Sequence, residues 1–192
     1  MSFLTTAFHH EPLEYDGRQL RSHFVLDTSG LYGDAALAFV GPCRVELSEM
    51  VDLEDVRARE AIATPRMVHV LVEHFDLRLR EGVLRQRILG RLAGDLLMEA
   101  GVEELRCRGD DLWVKGRKAS VSIATRSRVS TLIHFGLNVD TEGTPIPTWG
   151  LSELPEGVAL RDPEKFALEL LRRYEAEIDD IHRAVGKVRG VP

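Results

Sequence analysis

Eight residues between positions 110 and 138 have types that could do chemistry together. They lie in RCRGDDLWVKGRKASVSIATRSRVSTLIHFGLNVD, residues 106–140. Asp110 and Asp111 form an acidic pair at the mouth of a hairpin. A carboxylate there could hold a magnesium ion or a ligand hydroxyl. Successive strand residues face opposite sides, so a strand would offer only one of the two to a site. The pair equally suits a turn, where Asp bonds its own backbone. Lys118 opens a run in which Ser120 and Ser122 recur at period two, a polar ladder in apolar surroundings. An ammonium there can stabilise a carboxylate or phosphate as charge develops, although Arg117 and Lys118 also suit a solvated hairpin. In the next run Leu132, His134, Gly136 and Asn138 share a face, giving a second polar row and a glycine where backbone can approach a ligand.

A second group lies earlier, in the charged stretch SEMVDLEDVRAREAIATPR (48–66). Arg57, Arg59 and Arg66 there could clamp phosphates bidentately, and a loop of this length is usually functional or disordered. With Asp52, Glu54 and Asp55 beside them, the same charges suit a solvated helical turn. His69 and Glu73 share a strand face, with His134 within possible reach. A metal centre would need three such ligands to converge, so satisfied histidines are the plainer reading and no metal site is expected. The chain has no G-x-S-x-G elbow, no G-x-x-x-x-G-K-[ST] loop and no G-x-G-x-x-G. Serine-hydrolase chemistry is thereby disfavoured, and any ATP would bind by another architecture.

These side chains must be positioned by strands and helices that the hydrophobic pattern outlines. Strands are expected at Ser22–Asp27, Ala35–Val40 and Cys43–Leu47, then at Met67–Phe75, dense in β-branched residues. In that last run Val68, Val70, Val72 and His74 fall on one side and His69, Leu71, Glu73 and Phe75 on the other. A helix follows over Val83–Ala100. Leu84, Ile88, Leu89, Leu92, Ala93, Leu96 and Leu97 form its apolar stripe, and Gly101 its stop. Arg85, Arg87 and Arg91 fall on its polar face. Leu105–Arg108, Leu112–Val114, a tip at Lys115-Gly116, Ala119–Thr125 and Thr131–Val139 make an antiparallel meander. The proline-rich stretch after it must run over the surface or across the site. Pro163 to about Val185 is an amphipathic helix with Asp162 as N-cap. The pattern is α+β, a mostly antiparallel sheet covered by helices, in a single domain spanning 1–192.

Composition sets the outer bounds. A chain of 192 residues, 44% hydrophobic and 29% charged, can bury an ordinary core without disulfides. The net charge of −6 argues against nucleic acid as a partner, so only a local basic patch could attract a polyanion. The two cysteines, Cys43 and Cys107, match no metal spacing. No leader or membrane-length apolar run is seen, and a cytoplasmic location is the expectation.

Residues 84–140 resemble the catalytic domain of biotin and lipoate protein ligases, which is related to class II aminoacyl-tRNA synthetases. The likeness lies in LRQRILGRLAGDLLMEAG, RGDDLWVKGRKASVSIAT and IHFGLNVD, taken in that order, and with the more loosely similar EMVDLEDVRAREAI (49–62) it covers about the middle half of the chain. It implies that Lys118 matches the family's essential lysine, which contacts substrate carboxylate and acyl-phosphate. Asp111 would match the aspartate of the family's N-D-L, with Asp110 where Asn is usual. Arg57 and Arg59 are the nearest matches to the arginines of the glycine-rich adenylate loop, which here has Ala58, Glu60 and Ala61 instead of glycines. Val121 stands near a glycine of the lipoate-type enzymes. No cysteine follows Cys107, which closes the thioester route of octanoyl transferases. Over most of its length the chain is similar to domain of unknown function 366 (DUF366), through GDDLWVKGRKASVSIAT, STLIHFGLNV and the MVDLED segment.

The resemblance implies an enzyme that activates or transfers a small carboxylate through an acyl-adenylate. ATP and Mg2+ would be its cofactors, and an acceptor protein or a second copy of the chain its candidate macromolecular partners. Lys118 and Asp111 would be catalytic. Arg57, Arg59, Asp110, Ser120, Ser122, His134, Gly136 and Asn138 would bind substrate or nucleotide. The rival reading is a non-catalytic protein binding a metabolite or nucleotide on the same fold. A third, an RNA-linked enzyme, would use the Arg85, Arg87 and Arg91 face.

Overall fold

The described residues form two sheets. A computed structural model describes residues 2–58, 62–75 and 77–191. The larger sheet has five strands in the order β1-β2-β3-β8-β7: β1 Thr5–His9, β2 Ala35–Val45, β3 Ile62–Phe75, β7 Ser120–Arg126 and β8 Ser130–Asp140. All its neighbours are antiparallel except β1 and β2, which run parallel. The smaller sheet is the meander β4 Leu105–Arg108, β5 Asp111–Val114 and β6 Arg117–Lys118. The α+β architecture expected from the pattern is present.

Alternation in β3 divides the interior in two. Val68, Val70 and Val72, with Ile133, Phe135 and Leu137 of β8, face helices α3 (Leu79–Glu99) and α4 (Pro163–Gly186). Met67 and Leu71 face the other way, with Leu37 and Phe39, under Tyr15 and Val25 from the segment before β2. Helix α4 starts as expected: the Asp162 carboxylate accepts from the N–H groups of Glu164 and Lys165 at 3.0 and 3.3 Å, and Pro163 follows.

Two local expectations are corrected. Ser22–Asp27 is not a strand; α1 is a helix over Phe24–Ser29, closed by left-handed Gly30. Its entry is held by a tertiary contact, since the His23 N–H donates to the buried Glu73 carboxylate at 2.8 Å. The two expected strands at 35–40 and 43–47 are one strand, β2, with a register shift between Gly41 and Cys43. A side chain at Gly41 would meet the Leu13 carbonyl 1.9 Å away, because residues before β2 cross there.

Helix α3 buries most of its expected stripe: Leu89, Ala93, Leu96 and Leu97 are buried, and Ile88 and Leu92 pack against the core. Leu84 is 59% exposed, whereas Arg85 and Gln86 are buried. The face that meets the sheets reads Gly82, Gln86, Leu89, Gly90, Ala93, Gly94 and Leu97. Small residues at this spacing let a helix approach closely: a Cβ on Gly82 would lie 2.2 Å from the Thr131 methyl. The basic face is largely neutralised as well. Arg85 lies 3.7 Å from Asp34, and Arg91 pairs with Asp95 at 3.1 Å. Among the described residues no helix is long and apolar enough to cross a membrane.

Candidate active site

Gly109, at φ +66°, turns the chain between β4 and β5. Asp110 therefore sits in a turn and Asp111 begins a strand, so the strict alternation of a strand does not apply. Both carboxylates line one cleft. The tip of the next turn is Lys115-Gly116, both at positive φ. The chain then returns as β6, which puts Lys118 directly across from Trp113.

Lys118 Nζ lies 2.8 Å from Asp111 Oδ2, and each side chain keeps about a fifth of its surface exposed. Burial raises the Asp111 carboxyl to about 6, and the Lys118 ammonium opposes that rise without cancelling it. The pair is held from behind. Leu112 N–H donates to Ser120 Oγ at 2.8 Å, and the Asn138 amide donates to the carbonyls of Lys118 and Trp149, both at 3.3 Å. The proline-rich segment runs across the site: Lys118 N–H donates to Pro147 O at 3.3 Å and Trp149 N–H to Lys118 O at 3.0 Å. Arg117 fastens it through Glu153 at 2.7 Å.

Lys118 stands at the junction of two cavities. One, of about 380 Å³, is mostly apolar and includes Ile62, Met67, Val121, Pro145 and Ile146. The other, of about 190 Å³, is a cleft between β7 and the segment carrying α2 (Leu53–Ala58). His134, Tyr15, Cys43 and Ile123 line this cleft together with Glu49, Asp52, Glu54, Asp55, Asp110 and Asp111.

A fixed chain of hydrogen bonds runs beside it. The Gly41 carbonyl can only accept, so His69 Nε2 carries a proton and donates to it at 3.3 Å. His69 Nδ1 must then accept, at 3.0 Å, from His134 Nε2–H. Tyr15 stacks on the His134 ring, centroids 3.7 Å apart. Burial drives both imidazoles toward neutrality, His69 to about 3 and His134 well below the usual range. They are therefore uncharged and hydrogen-bonded, as the plainer reading of them anticipated.

The two polar rows do not face each other. Ser120 and Ser122 lie opposite Leu137 and Phe135, so they point to the helix side. Val121 and Ile123 lie opposite Gly136 and His134 on the cleft side. The cause is the passage from one sheet to the other at Ala119, which separates Lys118 from the alternation that begins at Ser120. Ser120 Oγ supports β5, and Ser122 Oγ donates to the His134 carbonyl at 3.1 Å while accepting from Gln86 at 3.0 Å. Gly136 makes room for Met67, whose Sδ would lie 2.3 Å from an added Cβ, rather than exposing backbone to a ligand. Arg57 is exposed on α2 and lines neither cavity. Arg59 lies outside the described residues.

Sequence reasoning missed Tyr15, Met67 and Gln86 as site components, whereas the 144–148 segment belongs to the proline-rich stretch expected over the surface or across the site. The Gln86 amide donates to Asp110 Oδ2 at 2.9 Å. A glutamine on an otherwise small and apolar helix face was the available signal for it. Tyr15 and Met67 had no local signal, because their contacts are set by distant strands.

Residues 4–189 match the family described as a domain of unknown function (DUF366). A solved protein of unknown function from Pyrococcus horikoshi is 37% identical, with TM-score 0.88, covering 97% of this chain and 100% of that one. The biotin protein ligase of Aquifex aeolicus, solved with biotin and ATP, is 16% identical with TM-score 0.59, covering 91% of this chain and 72% of the ligase. A putative lipoate protein ligase from T. acidophilum with bound lipoic acid is 12% identical with TM-score 0.55, covering 90% and 85%. At these identities the ligases share the fold.

Proposed function

The chain belongs to the DUF366 family, and from that premise we propose that it is an enzyme activating or transferring a small carboxylic acid held at Lys118. The observation that carries this reading is the position of Lys118, which lines both an apolar cavity and a polar cleft while paired with Asp111. The apolar cavity takes the hydrocarbon part of the acid. The carboxyl group meets the ammonium at the cavity's end. As a nucleophile adds to the acyl carbon of a bound acyl thioester or acyl phosphate, negative charge grows on the acyl oxygen, Lys118 stabilises it in partly dry surroundings, and the thiolate or phosphate then leaves. Asp111 is a positioning residue that fixes the ammonium, and the 144–149 segment excludes water from above.

ATP with Mg2+ is the cofactor that the ligase fold implies, and the Aquifex ligase binds ATP. The described residues here do not fit a triphosphate. Lys118 is the one described cation lining the cleft beside it, and it is already paired with Asp111. Glu49, Asp52, Glu54 and Asp110 would face the phosphates. No step of the proposed chemistry is therefore routed through a nucleotide.

That mismatch favours a second reading, a non-catalytic binding protein that keeps the carboxylate pocket alone. One set of titrations separates the two. Hexanoate and octanoate should bind the wild type, and Lys118→Ala should weaken them by about tenfold or more, the worth of a charged hydrogen bond. Unchanged carboxylate affinity in that variant would sink both readings. Carboxylate binding without turnover of any acyl thioester or acyl phosphate supports the binding protein.

A further inference from the structure

The cleft beside Lys118 has the wrong charge for a phosphate and the wrong geometry for a metal ion. Among the described residues no three His, Cys, Asp or Glu side chains gather as a cation centre. Its carboxylates instead stand apart around the rim, with Glu49 and Glu54 exposed and Asp110 half-buried. A second observation comes from the floor. His134 is only 3% exposed, and its Nε2–H is committed to His69. The Gly41 carbonyl fixes that direction, so His134 Nδ1 is left as a lone pair. No described group donates to it, and it is not sealed off as a buried unpaired atom, so it opens on the cleft that His134 lines. A neutral acceptor at the bottom and carboxylates at the rim call for a ligand that donates N–H and carries positive charge.

We propose that this cleft binds a small organic amine in its ammonium form, one N–H donating to His134 Nδ1 and its charge facing Glu49, Glu54 and Asp110. The volume of about 190 Å³ equals about six water molecules at liquid density. A short alkyl diamine fills that space. Diffuse carboxylates suit an ammonium on a flexible chain, which needs no fixed coordination geometry, whereas a divalent cation needs converging oxygens. The site stands on the cleft's own lining and requires no turnover, so it holds or fails separately from the acyl chemistry at Lys118.

The test is calorimetric titration of the full chain with 1,4-diaminobutane at low ionic strength, with hexanoate titrated in parallel. The expected result is saturable one-site binding of the diamine, weakened about fivefold in Glu49→Gln/Glu54→Gln, where two rim charges are lost. Both residues are exposed, so the double variant keeps the fold. The histidine ring 15N spectrum supplies a readout needing no variant: the His134 Nδ1 resonance should move on saturation. Absence of saturable diamine binding, equal affinity in the double variant, an unmoved His134 resonance, or displacement of the diamine by MgATP would each overturn the amine site. Hexanoate binding with no diamine binding overturns it while leaving the carboxylate reading intact.

Discussion

Asp111→Asn should change how stability depends on pH, and the size of the change follows from the site. Burial lifts the Asp111 carboxyl from an ordinary 3.8 to about 6 in the folded protein, despite the Lys118 ammonium 2.8 Å away. At about 1.36 kcal/mol per unit, a rise of about two units corresponds to ~3 kcal/mol. The folded state holds the proton more tightly than the unfolded chain. The stabilisation from protonation is therefore fully present below about pH 4 and is lost as pH rises through 6. The asparagine variant lacks this titration. Urea unfolding of both proteins at pH 7.5, 6, 5 and 4 should show the wild type gaining about 3 kcal/mol relative to the variant across that range. The absolute curves will also contain other carboxylates, including Asp34, and the difference between the proteins removes them. A difference that stays flat with pH would refute the reasoning, because it would mean that Asp111 is as well solvated folded as unfolded.

Other perturbations test the frame around the site. Arg85→Met should destabilise by about 3 kcal/mol in chemical denaturation. It removes the guanidinium from a buried group in which His74 contacts Asp34 at 2.7 Å and Tyr174 Oη at 2.9 Å. Burial works against the Asp34 charge, but hydrogen bonds from His74 and Phe75 N–H, with Arg85, hold its carboxyl below the usual range. Gly41→Ala should cost about 2–4 kcal/mol, since its Cβ would collide with the Leu13 backbone. It should also loosen Tyr15 over His134, read as changed tyrosine fluorescence. Asp162→Ala should cost about 1 kcal/mol in thermal unfolding, the loss of one N-cap.

Much of the frame is legible in the sequence. The alternation of Met67–Phe75 divides the interior as its side chains suggest, because a long central strand with both faces buried can pair in few ways. The tip at Lys115-Gly116 and the cap at Asp162 are local chemistry and appear where the residues placed them. Helix α1 was not legible. Six residues of mixed polarity carry no period long enough to separate helix from strand, and the contact that holds its entry comes from Glu73, fifty residues away. The apolar stripe of α3 was legible except at its first member, Leu84, which is exposed. Periodicity reports which residues are apolar; it does not show that Gly82, Gly90 and Gly94 share the buried side and that Arg85 and Gln86 are drawn in with them.

At the site the division is sharper. The sequence alone determined that Asp111 and Lys118 flank one hairpin, because four strand residues and a turn leave them no distance to separate. It also determined that His134 and Gly136 share a face. Only the tertiary structure decided which face the serines take, since the chain changes sheets at Ala119 and one residue of passage resets the alternation. Only the tertiary structure set the Asp111 carboxyl near 6, because desolvation depends on the walls that distant segments build around it. The same holds for the proton on His134. Its position depends on the Gly41 carbonyl two strands away, a partner that no spacing along the chain reveals.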